Sequence, residues 1–336
     1  MLAYRAKRVH WSFVDFHRTL LAPLRTTPAR LDLLQALADG DCPAYCAAIA
    51  RYLGVARQTA HEIVVGGYLT TGQRCTCTDR VLVHRSKQKA LVDALCSDAC
   101  AGRAPGTPGG RLARSHVIDA LRTGGLDPFE QPIPQHGGAN VLATIPGRVD
   151  RWVIVGAHYD HLGRMGSEAL FPGANDNASG VAMMLALAEW FAKHKPKYNM
   201  LFVAFAGEEA GLLGSEWFMV DRLVQASQIK LMLNLDILGT GDDGITVVNA
   251  TAQPKFFDQL VAINGERKLL AQVKARGPAC NSDHCPFVKR NVPALFVYTM
   301  GGIAAYHDVL DREETLPLTE FADLYALLKE FLTTLK

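Results

Sequence analysis

The chain has 336 residues, 49% of them hydrophobic and 20% charged, with a formal net charge of +2. That is enough apolar sequence for one large core or two modest ones, and a charge this close to neutral excludes a partner selected by overall charge alone. No run approaches the roughly 20 apolar residues of a membrane-spanning helix, and the opening MLAYRAKRVHWSFVDFHRTLL is too interrupted by charge for a secretory signal, so a cytoplasmic protein with no membrane partner is expected.

The charge is uneven along the chain. Residues 1–95 carry 13 Lys+Arg against 7 Asp+Glu, whereas the remainder carries 22 against 26. A basic front on an acidic body predicts two units, 1–86 and 87–336. The eight cysteines are expected to be thiols in that compartment. Cys42/Cys46, Cys75/Cys77 and Cys96/Cys100 lack the paired CxxC spacing of a structural zinc site.

In the first unit, residues 8–24 and 28–38 read as helices, with Thr27-Pro28 as cap and first-turn proline. AYCAAIARYLG and ARQTAHEIVVGG follow as two short helices, then YLTTGQRCTCTDRVLVHRS as two short strands around a polar tip. That order, and LGVARQTAHEIV in particular, resembles the winged helix-turn-helix of bacterial MarR-type regulators. The resemblance implies duplex DNA as a partner, met by Arg57, Gln58, Thr59 and His61 on the recognition helix and by Arg74 and Arg80 on the wing. The competing reading is a helical extension packed on the second unit.

The second unit begins with a helix (KQKALVDALCSD), a glycine/proline-rich loop (AGRAPGTPGG) and another helix ended by paired glycines (RLARSHVIDALRTGG). After GANVLATIPG, strands are predicted at 151–157, 200–206, 231–237, 245–249 and 293–299. Helices are predicted at 179–194, 211–224, 254–266 and 318–334. This alternation predicts an α/β fold: a mixed, mainly parallel sheet flanked by helices.

Chemistry-bearing residues cluster where the apolar runs stop. His158-Tyr159-Asp160 follows RWVIVGA, Asp176 sits in GANDNASG, Glu208-Glu209 follows MLFVAFAG, Asp236 follows LMLNL, and His307 lies in AAYHDVLD. Open α/β sheets put their ligands at strand C-termini. Two histidines and several carboxylates delivered to one sheet edge suit a metal such as zinc. Each motif is weak alone; their order is specific.

In that order AHYDHLG, PGANDNASG, FAGEEAGLLGS, NLDILG and YHD closely resemble the zinc-dependent aminopeptidases of the bacterial leucyl aminopeptidase type, over roughly residues 87–336. The wider family includes glutamate carboxypeptidase-like enzymes and glutaminyl cyclases. The resemblance implies a peptide substrate and two zinc ions bridged by Asp176. His158 and Asp236 would complete one ligand set, Glu209 and His307 the other.

Glu208 then becomes the general base, since its neighbour is committed to metal. Asp160 is expected to accept a hydrogen bond from the His158 imidazole and fix its tautomer. Tyr306 would donate to a tetrahedral oxyanion, a role only some relatives carry. His161 and Ser282-Asp283-His284 are expected to build the loop and pocket wall, and Gly173 and Gly180 to let the Asp176 loop turn sharply. Cys280 and Cys285 are expected to stay unpaired.

An aminopeptidase is the main reading. A carboxypeptidase would need a cationic clamp, for which Arg164, Arg276, Lys289 and Arg290 are the candidates. The glutaminyl cyclase branch uses one zinc, and NDNASG looks like the two-metal loop instead. A DNA-binding regulator with a peptide-sensing body is disfavoured by Glu208, because a sensor has no need of a general base. Homo-oligomers are compatible with all of these readings.

Overall fold

The computed structural model describes residues 87–134 and 136–336. The winged-helix reading, with Arg57, Gln58, Thr59, His61, Arg74 and Arg80, lies outside these residues. None of the described helices is long and apolar enough to cross a membrane.

Helix α1 covers 87–96 and α2 covers Pro108–Thr123, where Thr107 caps the first turn by accepting from the Gly110 amide at 3.0 Å. Strands β1 (Phe129–Pro132), β2 (Ala139–Ile145) and β3 (Val149–His158) follow. The hairpin β4 (Gly163–Met165) and β5 (Ala169–Phe171) leads into a tight turn at 174–179. Next come α3 (Gly180–Lys193), β6 (Tyr198–Phe205), α4 (Leu213–Asp221), β7 (Ile229–Leu235), β8 (Ile245–Val248) and α5 (Pro254–Arg267). The chain ends with β9 (Val273–Ala275), a short α6 (Cys285–Val288), β10 (Ala294–Thr299) and α7 (Phe321–Thr333).

Among the described residues one eight-stranded sheet runs in the order β1-β2-β6-β3-β7-β10-β8-β9. Its middle, β6-β3-β7-β10, is parallel throughout; β1 and β2 are added antiparallel on one side, and β8 pairs antiparallel with β10 on the other. The sheet is therefore mixed and mainly parallel at its centre, as the alternation predicts. Five strands are not predicted: β4, β5 and β9 are three residues each, too short for a period, β1 is an exposed FEQP with only Gln131 buried, and β2 is a mostly buried seven-residue run.

Both faces are covered, so the central strands are apolar at successive positions instead of alternating with polar ones. Val153, Val155, Phe202, Leu231 and Leu233 face one core, packed with residues of α2, α3, α5 and α7 such as Val117, Met183, Leu260 and Leu324. Ile154, Leu201, Val203, Phe205 and Met232 face the other, with Phe218 of α4 and Phe287 of α6. Phe218 and Phe287 are fully buried with ring centroids 5.6 Å apart; truncating either to Ala would cost about 3–5 kcal/mol. Helix α3 is buried along nearly its whole length, as its sequence GVAMMLALAEWFAK requires of a central helix.

The structure joins Cys280 and Cys285 in a disulfide, correcting the expectation that they stay unpaired; the turn through Ser282–His284 brings their Cα atoms to 4.8 Å, within bonding reach. Cys96 and Cys100 are buried free thiols.

Candidate metal centre

The parallel strands β3, β6, β7 and β10 all end at the same edge of the sheet, and each delivers part of the site. His158 is the last residue of β3, Glu208 and Glu209 follow β6, Asp236 follows β7, and the segment after β10 carries His307. The 174–179 turn lays Asp176 across them. All five predicted metal ligands converge here.

Their arrangement is two triads sharing one carboxylate. His158 Nε2 lies 3.3 Å from Asp176 Oδ1 and 3.4 Å from Asp236 Oδ1. His307 Nε2 lies 3.3 Å from Asp176 Oδ2 and 3.1 Å from Glu209 Oε2. A tetrahedron of ligands about 2.0 Å from zinc has edges of about 3.3 Å, which these four histidine–carboxylate separations match. Buried Asp236 Oδ1 makes no hydrogen bond, which is the condition of an oxygen reserved for a cation. Histidine and carboxylate donors of this kind suit zinc.

The electrostatics agree. Burial works to raise the Asp176 carboxyl, but hydrogen bonding to His158 and His307 outweighs it and holds the group low. Burial alone would lower His158, yet the charges of Asp236 and Glu208 raise it well above the usual imidazole range. Burial pushes Glu208 up to about 9, helped by Asp283, Asp236 and Asp160 against the opposing charge of His158. A pocket this acidic favours cations. Glu208 offers a carboxylate oxygen within 4.8 Å of the His158 and Asp236 donor atoms and makes no ion pair with a histidine among the described residues.

Asp160 departs from its expected role. The His158 Nδ1 proton goes to the backbone oxygen of Asp160, at 3.2 Å, while the Asp160 carboxylate stands 3.8 Å from that nitrogen. The carboxylate instead accepts the backbone amides of Glu208 and Glu209, at 3.2 and 3.3 Å. The His158 tautomer is therefore fixed by a peptide carbonyl, the carboxylate being taken up by the two amides that follow β6.

The turn bearing Asp176 is gripped from both sides. Arg103, in the AGRAPGT loop and fully buried, donates to the carbonyls of Tyr159 at 2.7 Å, of Pro172, of Gly173 at 2.5 Å and of Asp176 at 3.5 Å. Asp311 accepts the amides of Asn175 and Asp176 at 2.8 and 3.0 Å. Asn177 ties the turn to the end of β7, donating to Leu235 O at 2.9 Å and accepting from Ile237 N at 3.2 Å. The Asp176–Asn177 peptide is cis. Gly173 has φ +65°, as a sharp turn requires, but Gly180 is an ordinary helical residue; what excludes a side chain there is a Cβ falling 2.5 Å from Leu235 O.

Ser282 has a more specific task than wall-building. Its hydroxyl donates to Asp236 Oδ2 at 2.8 Å and accepts from Asn234 at 2.8 Å, orienting a ligand carboxylate. Tyr306 is mostly exposed and stacks on His307 with ring centroids 4.0 Å apart; partial burial, then the charges of Asp176 and Glu209, push its phenol up to about 12 and keep it a donor. Of the clamp candidates, Arg290 and Lys289 pair with Glu216 at 3.1 and 3.7 Å, and Arg164 turns to the Ser167 carbonyl at 3.4 Å. Arg103, Asp311 and Ser282 were not identified as supports from sequence. The AGRAPGT segment and the second aspartate of HDVLD were visible there, but nothing in the spacing said what they would bind.

The sequence profile of peptidase family M28 matches residues 140–332, which spans every predicted ligand of the site. The chain belongs to this family. Among the relatives, a protein of Pyrenophora teres f. teres described as a "probable zinc metalloprotease" is 41% identical over 112 residues, covering 32% of this chain and 24% of that protein. One of Arthroderma otae, described as a "probable leucine aminopeptidase", is 31% identical over 198 residues, covering 55% of each. The chain thus spans about half or less of the length of these relatives. A Zn-dependent exopeptidase from Parabacteroides distasonis shares the fold with a TM-score of 0.62 at 16% identity, over 74% of this chain and 97% of that one. The glutaminyl cyclase of Porphyromonas gingivalis does so with a TM-score of 0.61 at 19% identity, over 73% and 96%.

Proposed function

We propose that this M28 chain is a two-zinc aminopeptidase that hydrolyses the N-terminal peptide bond of its substrate. The observation that carries the reading is the division of Asp176, with one oxygen 3.3 Å from His158 and the other 3.3 Å from His307. His158 and Asp236 would hold one ion, Glu209 and His307 the other, and Asp176 both. Bound there, zinc supplies Lewis acidity for the scissile carbonyl and lowers the pKa of water.

Glu208 is free of both ligand sets, so it accepts the proton of the attacking water and returns it to the leaving amine. Its backbone amide is fixed by the Asp160 carboxylate. Tyr306 donates to the oxygen that becomes negative as the carbonyl turns tetrahedral. The surplus of carboxylates favours the free α-amine of a peptide over its carboxylate, and the engagement of Lys289 and Arg290 with Glu216 leaves no obvious carboxylate clamp from that pair. Exposed apolar side chains at Leu162, Met165 and Leu310, in the segments around the ligands, suit an apolar residue at the substrate's N-terminus.

The test is a peptide panel with and without a zinc chelator. Free-amine peptides are expected to be cleaved, acetylated ones spared, C-terminally amidated ones cleaved, and all cleavage lost on chelation. Preference for a free carboxylate would move the enzyme to carboxypeptidase chemistry. Conversion of N-terminal glutamine to pyroglutamate without cleavage would move it to cyclisation.

A further inference from the structure

His161 is fully buried, yet neither ring nitrogen has a hydrogen-bond partner. Such a group is costly unless something at the site uses it. Its Nδ1 stands 2.7 Å from Glu209 Oε1, off the line of a ring N–H, while the other oxygen of Glu209 faces His307 Nε2 at 3.1 Å. Its ring meets that of His307 edge-on, with centroids 5.9 Å apart. A Cβ at Gly173 would fall 2.3 Å from Asp176 O and 2.5 Å from His161 Cγ and Cδ2, so the turn packs directly against this ring. The Asp176 turn therefore keeps a place for this imidazole beside the second triad.

We propose that His161 is a positioning residue for the second metal position: its Nδ1–H holds Oε1 of Glu209 so that Oε2 is left for the metal. The inference rests on the two-zinc reading. It fits the assignment of Glu209, rather than Glu208, as the ligand of the adjacent pair: among the described residues a buried donor stands against the second oxygen of Glu209.

The experiment measures zinc stoichiometry and both site affinities by chelator competition, together with the absorption spectrum of the cobalt-loaded protein, for wild type, His161→Ala and His161→Asn. The metal-free forms are melted alongside as a folding control. Asn places an amide nitrogen where Nδ1 stands, which restores the hydrogen-bond donor but is a poor metal ligand. His161→Ala is expected to weaken the second site about 10–100-fold, leave the first within twofold, and change the cobalt spectrum of the second site alone. His161→Asn is expected to recover most of that loss.

Unchanged affinities in His161→Ala would overturn the inference, as would equal weakening of both sites. Equal loss of the second site in Ala and Asn would overturn it too, because it would make His161 itself a ligand. If His161→Ala does not fold, His161→Asn decides alone: near-wild-type second-site affinity supports the inference and its loss sinks it. A wild type that binds one zinc would instead remove the two-zinc reading, and this inference with it.

Discussion

Asp160 is hydrogen-bonded to Glu208, its Oδ1 accepting from the Glu208 backbone amide at 3.2 Å while Oδ2 takes the Glu209 amide at 3.3 Å. One buried carboxylate at the end of β3 thus sets the backbone of both glutamates at the end of β6. The proposed base and a ligand of the second triad are positioned together, and His158 is held by the same residue's carbonyl.

Asp160→Asn leaves one oxygen for two amides and places an amide group against the other. It should lower stability by about 1–3 kcal/mol and reduce kcat far more than it raises KM, since Glu208 is displaced more than the substrate pocket. Thermal melts and steady-state kinetics check both. A variant that lost zinc and nothing else would mean the carboxylate acts on the ligands only.

Asp176→Ala and Glu208→Gln separate ligand from base. The first removes the carboxylate shared by both triads and is expected to lose metal and activity together. The second leaves the ligands intact and should keep near-full metal while kcat falls by about two to four orders of magnitude. Metal analysis of the two purified variants decides it. Loss of metal from Glu208→Gln with retention in Glu209→Gln would reverse their roles.

Metal removal should change the pH dependence of stability. In the metal-free protein burial and neighbouring carboxylates raise Glu208 from its ordinary 4.5 to about 9. The folded state then binds a proton the unfolded state releases, so this contribution is present below 4.5 and is lost as pH rises toward 9. His158, also raised, acts with the same sign. The metal-free melting temperature should fall across that window, and Glu208→Gln should flatten the slope. Zinc binding near pH 7.5 should release protons, seen as a buffer-dependent enthalpy in calorimetry.

Arg103 is a buried cation satisfied by carbonyl oxygens. Arg103→Lys keeps the charge but loses the planar fork, and is expected to cost about 3 kcal/mol, the scale for disrupting a buried charged network. Hydrogen exchange should then rise in 172–179 before it rises in β3. Uniform loosening of the whole sheet would show that Arg103 stabilises the fold without singling out the Asp176 turn.

The basic first unit predicts binding of the full chain to duplex DNA at low salt. Fluorescence anisotropy should detect it, and Arg57→Ala with Arg74→Ala should weaken it, with a shallower salt dependence. Absence of binding at low salt would leave residues 1–86 as an extension of the peptidase.

The sequence by itself determined which histidines and carboxylates meet at one sheet edge, and the parallel centre of the sheet. Strand C-termini are marked by where an apolar run stops, so His158, Glu209 and Asp236 could be read as neighbours in space before any fold was known. It also marked the order of motifs that identifies M28. The sequence could not show which partner each polar group takes. Asp160 lies two residues from His158 and 48 from Glu208, and proximity along the chain favoured the wrong atom. Arg103 meets Gly173 across 70 residues, and Asp311 meets Asp176 across 135. Hydrogen bonds depend on direction and separation in space, which periodicity does not encode. Tertiary structure alone therefore decided how the turn bearing Asp176 is held and which glutamate oxygen faces which histidine.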